Sequence, residues 1–483
     1  MNNNSPLRVL QVIPSISLVY GGPSQMVVGL SAALATQGVE VTIVTTDANG
    51  DQSQEPLAVP LQQLIHQDGY EIIYFRCTPF RRYKFSLALW GWLWQQIQDY
   101  DIVHIHALFS PVSTIAATIA RHHHIPYILR PLGTLDPLDL QKKKIFKQIY
   151  GWLWERPNLQ GAAAIHFTSQ QEALTAHRFG AKTHDLVMPL GVTPPPNLDL
   201  FLEQSFMGFD DTQGDLQGDI QPDLQANLQG DLQSDQQTLD QPLDTTGDQV
   251  QNHTQNHPQN FDEDFPANIA SNIANNIAKV GLAAEPTLET GAEVGRGNPL
   301  ILFLSRIDRK KGLNLLIPVL EDLLAEGWKF HFVLAGANPQ DQNYTAQIKH
   351  QITSSPLGKS TIITGFVAGD YKRQLLQQAD LLVLPSYYEN FGIVVAEAMI
   401  VGTPVLISDQ VQIWQEVLEA EAGWVCSCDR ASLLTQLRVA LGDELARQKR
   451  GRNAQKYAWQ NYRWESIAHR TQQIYRSLIQ SSD

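Results

Sequence analysis

Short apolar runs that close on Gly, Pro, Ser or His and lead into a helix-period stretch recur along this chain. They include RVLQVIP from Arg8, DIVHIH from Asp101, PLILFLS from Pro299 and LLVL from Leu381. Such runs lack the apolar-polar alternation of a strand with one wet face, so they suit strands covered by helices on both sides. Strand, polar loop and helix repeated in this way predict doubly wound α/β domains. In that architecture ligands lie beyond the C-terminal ends of the strands.

The repetition is interrupted once. From Asp211 to Thr238 the sequence runs in tetrads (DTQG, DLQG, DIQP, DLQA, NLQG, DLQS, DQQT), followed by QNHT/QNHP/QNFD from Gln251 and NIAS/NIAN/NIAK from Asn268. No Lys or Arg occurs between Thr183 and Ala278, where 16 Asp and Glu fall. Burial there cannot offset chain entropy, which predicts a disordered, low-complexity insertion over 194–297 with some helix near Ala267 to Ala283. An N-terminal domain over 1–193 and a C-terminal domain over 298–465 flank it. The formal charge of −14 is misleading, because outside that stretch 35 basic residues meet 33 acidic ones. A nearly neutral folded part argues against nucleic acid as a partner. Cys77, Cys426 and Cys428 fit neither a disulfide framework nor a zinc site, so buried or free thiols are expected. The N-terminus does not read as a signal peptide, and no run approaches the ~20 apolar residues of a membrane span. A cytoplasmic protein is expected.

The most informative stretch is LLVLPSYYENFGIVVAEAM, Leu381 to Met399. A helix that starts after a tight turn leaves its first N–H groups unpaired, a site for phosphate favoured by the helix dipole. Gly392 lets the main chain approach a ligand closely. Glu389 and Glu397, eight residues apart, would face roughly the same side if both lie on or beside this helix. Carboxylates do not bind phosphate but suit hydroxyls, hence a sugar or ribose. Arg306 and Lys311, at a strand-to-helix turn, can clasp a diphosphate between a guanidinium fork and a point charge. Gly21 and Gly22 form a loop between the first strand and the first helix. His106 ends a strand at the crevice, whereas His104 is mid-strand and reads as packed. Arg130, also at a strand end, suits an anion or acceptor contact. Each feature has a plainer reading as a solvated helix face, an ordinary turn or a surface ion pair.

Taken together, Gly21-Gly22-Pro23, His106, Arg306…Lys310-Lys311-Gly312, Glu389-x7-Glu397 and Gly402-Thr403-Pro404 resemble, in order, the motifs of the retaining family 4 type glycosyltransferases. The resemblance covers nearly everything outside the insertion and implies the GT-B fold: two Rossmann-like domains facing across a cleft, with the terminal helix (about 466–483) crossing back to the first. It implies a hexosyl transfer from a nucleoside-diphosphate sugar to a glycan or lipid-linked glycan, in polysaccharide or exopolysaccharide biosynthesis. No cofactor or metal is required. His106, Arg306, Lys311 and Glu389 would then be catalytic. Gly21, Gly22, Gly365, Phe366, Asn390, Phe391, Gly392 and Glu397 would hold the donor, and Arg130 would lie on the acceptor side. Leu190 stands where the family usually has Asn, and Ser305 where it usually has Gly. Two other classes remain open: a non-catalytic nucleotide-sugar or glycan-binding protein, and an epimerase or hydrolase on the same fold. Two aromatic stretches, Leu89 to Trp94 and Tyr150 to Trp154, follow basic residues. They fit a peripheral contact with the inner face of a membrane, or tryptophans packed in the core, which is the expectation adopted.

Overall fold

The computed structural model describes residues 6–17, 22–50, 55–136, 144–195 and 297–481. Residues 196–296, with the tetrad repeats and the expected helix near 267–283, lie outside the described residues. Two sheets organise the rest. The first takes β1 (Arg8–Val12), β2 (Glu40–Thr46), β3 (Leu64–Gln67), β4 (Tyr70–Phe75), β5 (Ile102–His106), β6 (Tyr127–Arg130), β7 (Ala164–Phe167) and β8 (Asp185–Val187). Their order is β3-β4-β2-β1-β5-β6-β7-β8, parallel throughout except that β3 runs against β4. The second takes β9 (Leu300–Leu304), β10 (His331–Ala335), β11 (Thr361–Gly365), β12 (Leu381–Leu384), β13 (Val405–Ser408) and β14 (Gly423–Cys426), all parallel in the order β11-β10-β9-β12-β13-β14. This is the expected pair of doubly wound domains. In each sheet the strand order reverses beside the first strand, between β1 and β5 and between β9 and β12. At those points the loops diverge and leave a crevice.

Both faces of the first sheet are covered, as the apolar runs predict. Leu10, Val12, Val103, Ile105, Leu129 and Phe167 face a core shared with helices Leu87–Gln96 and Pro111–His122. Val9, Ile13, Ile102, Ile128 and Ala164 face helix Gly22–Ala35 and the closing helix Trp464–Gln480, which inserts Ile467, Ala468, Tyr475 and Leu478. The chain closes on two helices, Glu444–Asn461 and Trp464–Gln480. Arg463 between them is extended and bridges Val192, whose N–H donates to the Tyr462 carbonyl at 2.7 Å. Pairing with the last loop of the first domain breaks the helix there.

The expected core packing of the tryptophans is not what forms. In helix Leu87–Gln96 the core positions go to Leu89 and Leu93, one turn apart, which rotates Trp90 and Trp94 outward (44% and 49% exposed). Trp152 and Trp154 are exposed as well, as is Ile149, and Trp92 alone packs inward, against Phe75 and Tyr100. Cys77 and Cys426 are buried and Cys428 half-buried, all three as free thiols.

Candidate active site

The second-domain crevice is built from the loops after β9 and β12. Ile307, fully buried, anchors the first loop. The Asp308 side chain accepts the Lys310 N–H at 2.9 Å and starts a single 3-10 turn, Arg309–Lys311. Gly312 ends that turn with φ of 73°, and a Cβ there would overlap the Pro385 carbonyl oxygen just after β12. The two loops are therefore in backbone contact, and the Tyr387 N–H donates to the Lys310 carbonyl at 2.8 Å. This closeness brings the Lys311 ammonium onto the Glu389 carboxylate as a half-buried ion pair. Glu389 is itself held through its main chain, donating to Gln410 at 3.1 Å and accepting from Gln412 at 3.0 Å. Arg306, five residues before Lys311, is exposed; its carbonyl accepts the Asp308 N–H at 2.9 Å, and its guanidinium has no hydrogen-bond or ion-pair partner among the described residues.

Helix Ile393–Ile400 opens at Gly392, which is left-handed at φ 72°. Its first internal bond runs from the Val395 N–H to the Gly392 carbonyl at 2.7 Å, so the amides before Val395 have no helical acceptor. Glu389 lies ahead of the helix in a bridge with Val411, so its spacing from Glu397 is not a helical face as the count of residues had implied. Glu397, in the second turn, pairs one oxygen with Lys372 Nζ at 2.6 Å; the other is buried without a partner among the described residues. The Phe391 ring is buried edge-on against Tyr462 (centroids 5.4 Å apart), which leaves only its main chain for a ligand. Asn390 is held by the Tyr388 hydroxyl and abuts Gly133 of the first domain, where a Cβ would overlap its amide. Gly365 ends β11, and the next residue, Phe366, is 68% exposed.

The first-domain crevice lies beyond β5 and β6. Gly21 is outside the described residues; Gly22 begins its helix with open space where a Cβ would be. Along one face of the sheet each strand starts apolar and ends polar: Val9 then Gln11, Ile102 then His104 and His106, Ile128 then Arg130, Ala164 then His166. Being strand-end or mid-strand does not separate His106 from His104, since both are fully buried. Burial pushes both imidazoles well below the usual histidine range and His166 down to about 3, the Arg130 charge adding to it. Arg130, paired in register with His106, is 2% exposed and leaves Nε and one terminal nitrogen without partners among the described residues. Burial pulls it down to about 10, against the opposing pull of Glu172.

Two buried carboxylates near the crevice are not among the site residues the sequence suggests. Glu155 accepts the Phe109 N–H and the Thr114 hydroxyl, and burial pushes its carboxyl up to about 7. Glu172 binds the Gly133 and Thr168 amides. Gln11, the lone polar residue inside an apolar strand, was the one visible signal. Leu190, where the family pattern is broken, and Gly191 after it lie on the packing side: Leu190 is buried and Gly191 lies flat against the Trp464 indole.

Two sheets with this strand order and facing crevices define the GT-B architecture. The description "Glycosyl transferase 4-like domain" matches residues 21–191, and "Glycosyl transferases group 1" matches residues 291–457. The two matches take in well over half of the chain, which belongs to the GT4-like glycosyltransferase superfamily. It is 32% identical over 188 residues to an uncharacterized glycosyltransferase of Methanocaldococcus jannaschii, covering 38% of this chain and 45% of the relative. It is 28% identical over 207 residues to glycogen synthase of Mycobacterium tuberculosis, covering 40% and 49%. The matches thus span about half the length of these relatives. Among solved structures, sucrose-phosphate synthase from Thermosynechococcus elongatus superposes with a TM-score of 0.62 at 18% identity, covering 98% of this chain and all of that one. The Anabaena protein HepE in complex with UDP and glucose gives 0.60 at 16%, with 98% and 100% covered.

Proposed function

We propose that the protein is a retaining glycosyltransferase that moves a hexosyl unit from a nucleoside-diphosphate sugar to a glycan or lipid-linked glycan, in polysaccharide biosynthesis. The observation that carries this reading is the meeting of Lys311 with Glu389 at the mouth of the Gly392 helix. A cation, open amides and a carboxylate there fit a diphosphate with a sugar attached. Arg306 and Lys311, with the amides at Phe391 and Gly392, neutralise the charge that grows on the leaving diphosphate. Donor binding draws Lys311 off Glu389, which frees that carboxylate for the sugar hydroxyls. The free oxygen of Glu397 accepts from the ribose, and Phe366 stacks on the base beside Gly365. His106 contacts the transferred sugar and Arg130 the acceptor side. No metal or other cofactor has a role, because the protein's own cations do this work.

The test is nucleotide release from UDP- and GDP-sugars with and without acceptor extracts, followed by the anomeric configuration of the product by NMR. Acceptor-dependent release with retention, undiminished by a chelator, is expected. Acceptor-independent release identifies a hydrolase, and donor binding without turnover a binding protein.

A lipid-linked acceptor is favoured by the exposed Trp90, Trp94, Trp152 and Trp154, which together with nearby basic residues suit the headgroup region of an anionic membrane. The contact is peripheral: among the described residues no helix is long and apolar enough to cross a membrane. Flotation with anionic liposomes is expected to carry the protein upward, and Trp152→Ala with Trp154→Ala to reduce the floated fraction. Recovery of no protein with the lipid refutes the contact.

A further inference from the structure

A continuous chain of buried hydrogen bonds crosses the first domain beneath its crevice. His166 Nε2 lies 2.9 Å from the Met188 carbonyl, and His166 Nδ1 is 3.2 Å from His104 Nε2. His104 Nδ1 is 2.7 Å from the Tyr475 hydroxyl, which is 3.4 Å from Gln11 Nε2. Gln11 Oε1 is 2.6 Å from His106 Nε2. All five side chains are buried, and burial keeps the three imidazoles neutral, with one ring proton each.

That neutrality gives the chain a single direction. A carbonyl only accepts, so His166 carries its proton on Nε2 and offers a bare Nδ1. His104 must then donate from Nε2, leaving its Nδ1 to accept from the Tyr475 hydroxyl. The phenol oxygen accepts from the Gln11 amide nitrogen, which turns the amide oxygen toward His106. His106 therefore holds its proton on Nε2. Turning the Gln11 amide over would set two acceptors against each other further along, so the direction is unique. His106 Nδ1, buried and without a partner among the described residues, is the open end of the chain. Its register neighbour Arg130 offers unpaired N–H groups beside it. A lone pair next to an N–H donor complements one hydroxyl oxygen, which can donate to the first and accept from the second.

We propose that Gln11, His104, His166 and Tyr475 are positioning residues that lock His106 in the Nε2–H form, so that its Nδ1 accepts a hydrogen bond from a substrate hydroxyl. Tyr475 lies on the closing helix, 369 residues from His106 by position. The state of a crevice side chain is thus tied to the seating of that helix. This inference rests on the transferase reading for the identity of the hydroxyl but not for the tautomer.

The experiment is 15N NMR of the full chain labelled at histidine, with His106 assigned by comparison with His106→Asn, alongside transfer kinetics for wild type and Tyr475→Phe. The wild type is expected to show a bare Nδ1 at His106. Tyr475→Phe keeps the buried ring and removes only the oxygen; His106 should then populate both tautomers. Its kcat should fall roughly 10- to 100-fold, the scale for losing a group that orients a functional imidazole, at unchanged donor KM. A protonated Nδ1 in the wild type overturns the proposal whether or not Tyr475→Phe folds. So does a variant with unaltered tautomer and kcat. A wild type with the bare Nδ1 but no turnover refutes the transferase reading and leaves the tautomer lock standing.

Discussion

At the scale of single residues, the site is defined by groups whose hydrogen-bonding capacity exceeds what the protein uses. Glu397 spends one oxygen on Lys372 and keeps the other buried and bare. A buried acceptor left unpaired is costly, so a bound hydroxyl is the natural partner. Glu397→Gln, which retains shape but loses charge, should weaken donor binding by roughly 10-fold in calorimetry; unchanged affinity would remove Glu397 from the ribose. Glu155 makes a different prediction. Its carboxyl is held up at about 7 by burial, above the ordinary value of 4.5. Between those two values the unfolded chain has lost the proton that the folded chain keeps, so stability falls as pH rises through that window. Glu155→Gln cannot ionise. Relative to wild type it should therefore gain on the order of 3 kcal/mol between pH 4 and pH 8, read from urea unfolding at each pH.

Among elements, the helix Ile393–Ile400 and the turn before Gly312 place the chemistry. Most of that helix is buried, and Glu397 is its one charged residue. A helix buried on nearly every side admits a charge only where something will meet it. Gly312 fixes how near the β9 and β12 loops come. Gly312→Ala would meet the Pro385 carbonyl in a left-handed conformation that itself costs about 1–2 kcal/mol. The loops must part, and Lys311 must move off Glu389. Donor affinity is expected to fall well before the fold does, a contrast that calorimetry and thermal melting resolve together. Strand spans such as Tyr127–Arg130 and Leu381–Leu384 were legible because apolar runs and turn residues act locally. The break at Arg463 was not, since its cause is a pairing with Val192, distant in sequence.

For the molecule as a whole, the closing helix joins the two domains. Trp464 fills the space over Gly29 and Gly191, and Tyr462 packs on Phe391 at the second-domain crevice. The chain thus returns from the second domain to seal the first, and does so at both crevices. The repeat-bearing stretch enters between β8 and β9, the last strand of one sheet and the first of the other. It interrupts neither sheet. Deletion of 200–289 should accordingly leave transfer activity within about threefold of the full chain, as linker insertions change loop closure only slightly. A folded deletion variant without turnover would assign that stretch a function.

Composition and periodicity alone determined that two parallel α/β domains form, where their strands end, and which loops carry glycine, cations and carboxylates. These follow from burial and turn chemistry that act over a few residues. The tertiary structure alone decided which of those groups meet. Lys311 reaches Glu389 only because β9 lies beside β12. His106 joins Tyr475 only because the last helix returns across the first sheet. Trp90 and Trp94, which would have suited a core, face outward because Leu89 and Leu93, one position away, took the inner side. Strand order and helix return join residues hundreds apart, and no local pattern encodes that pairing.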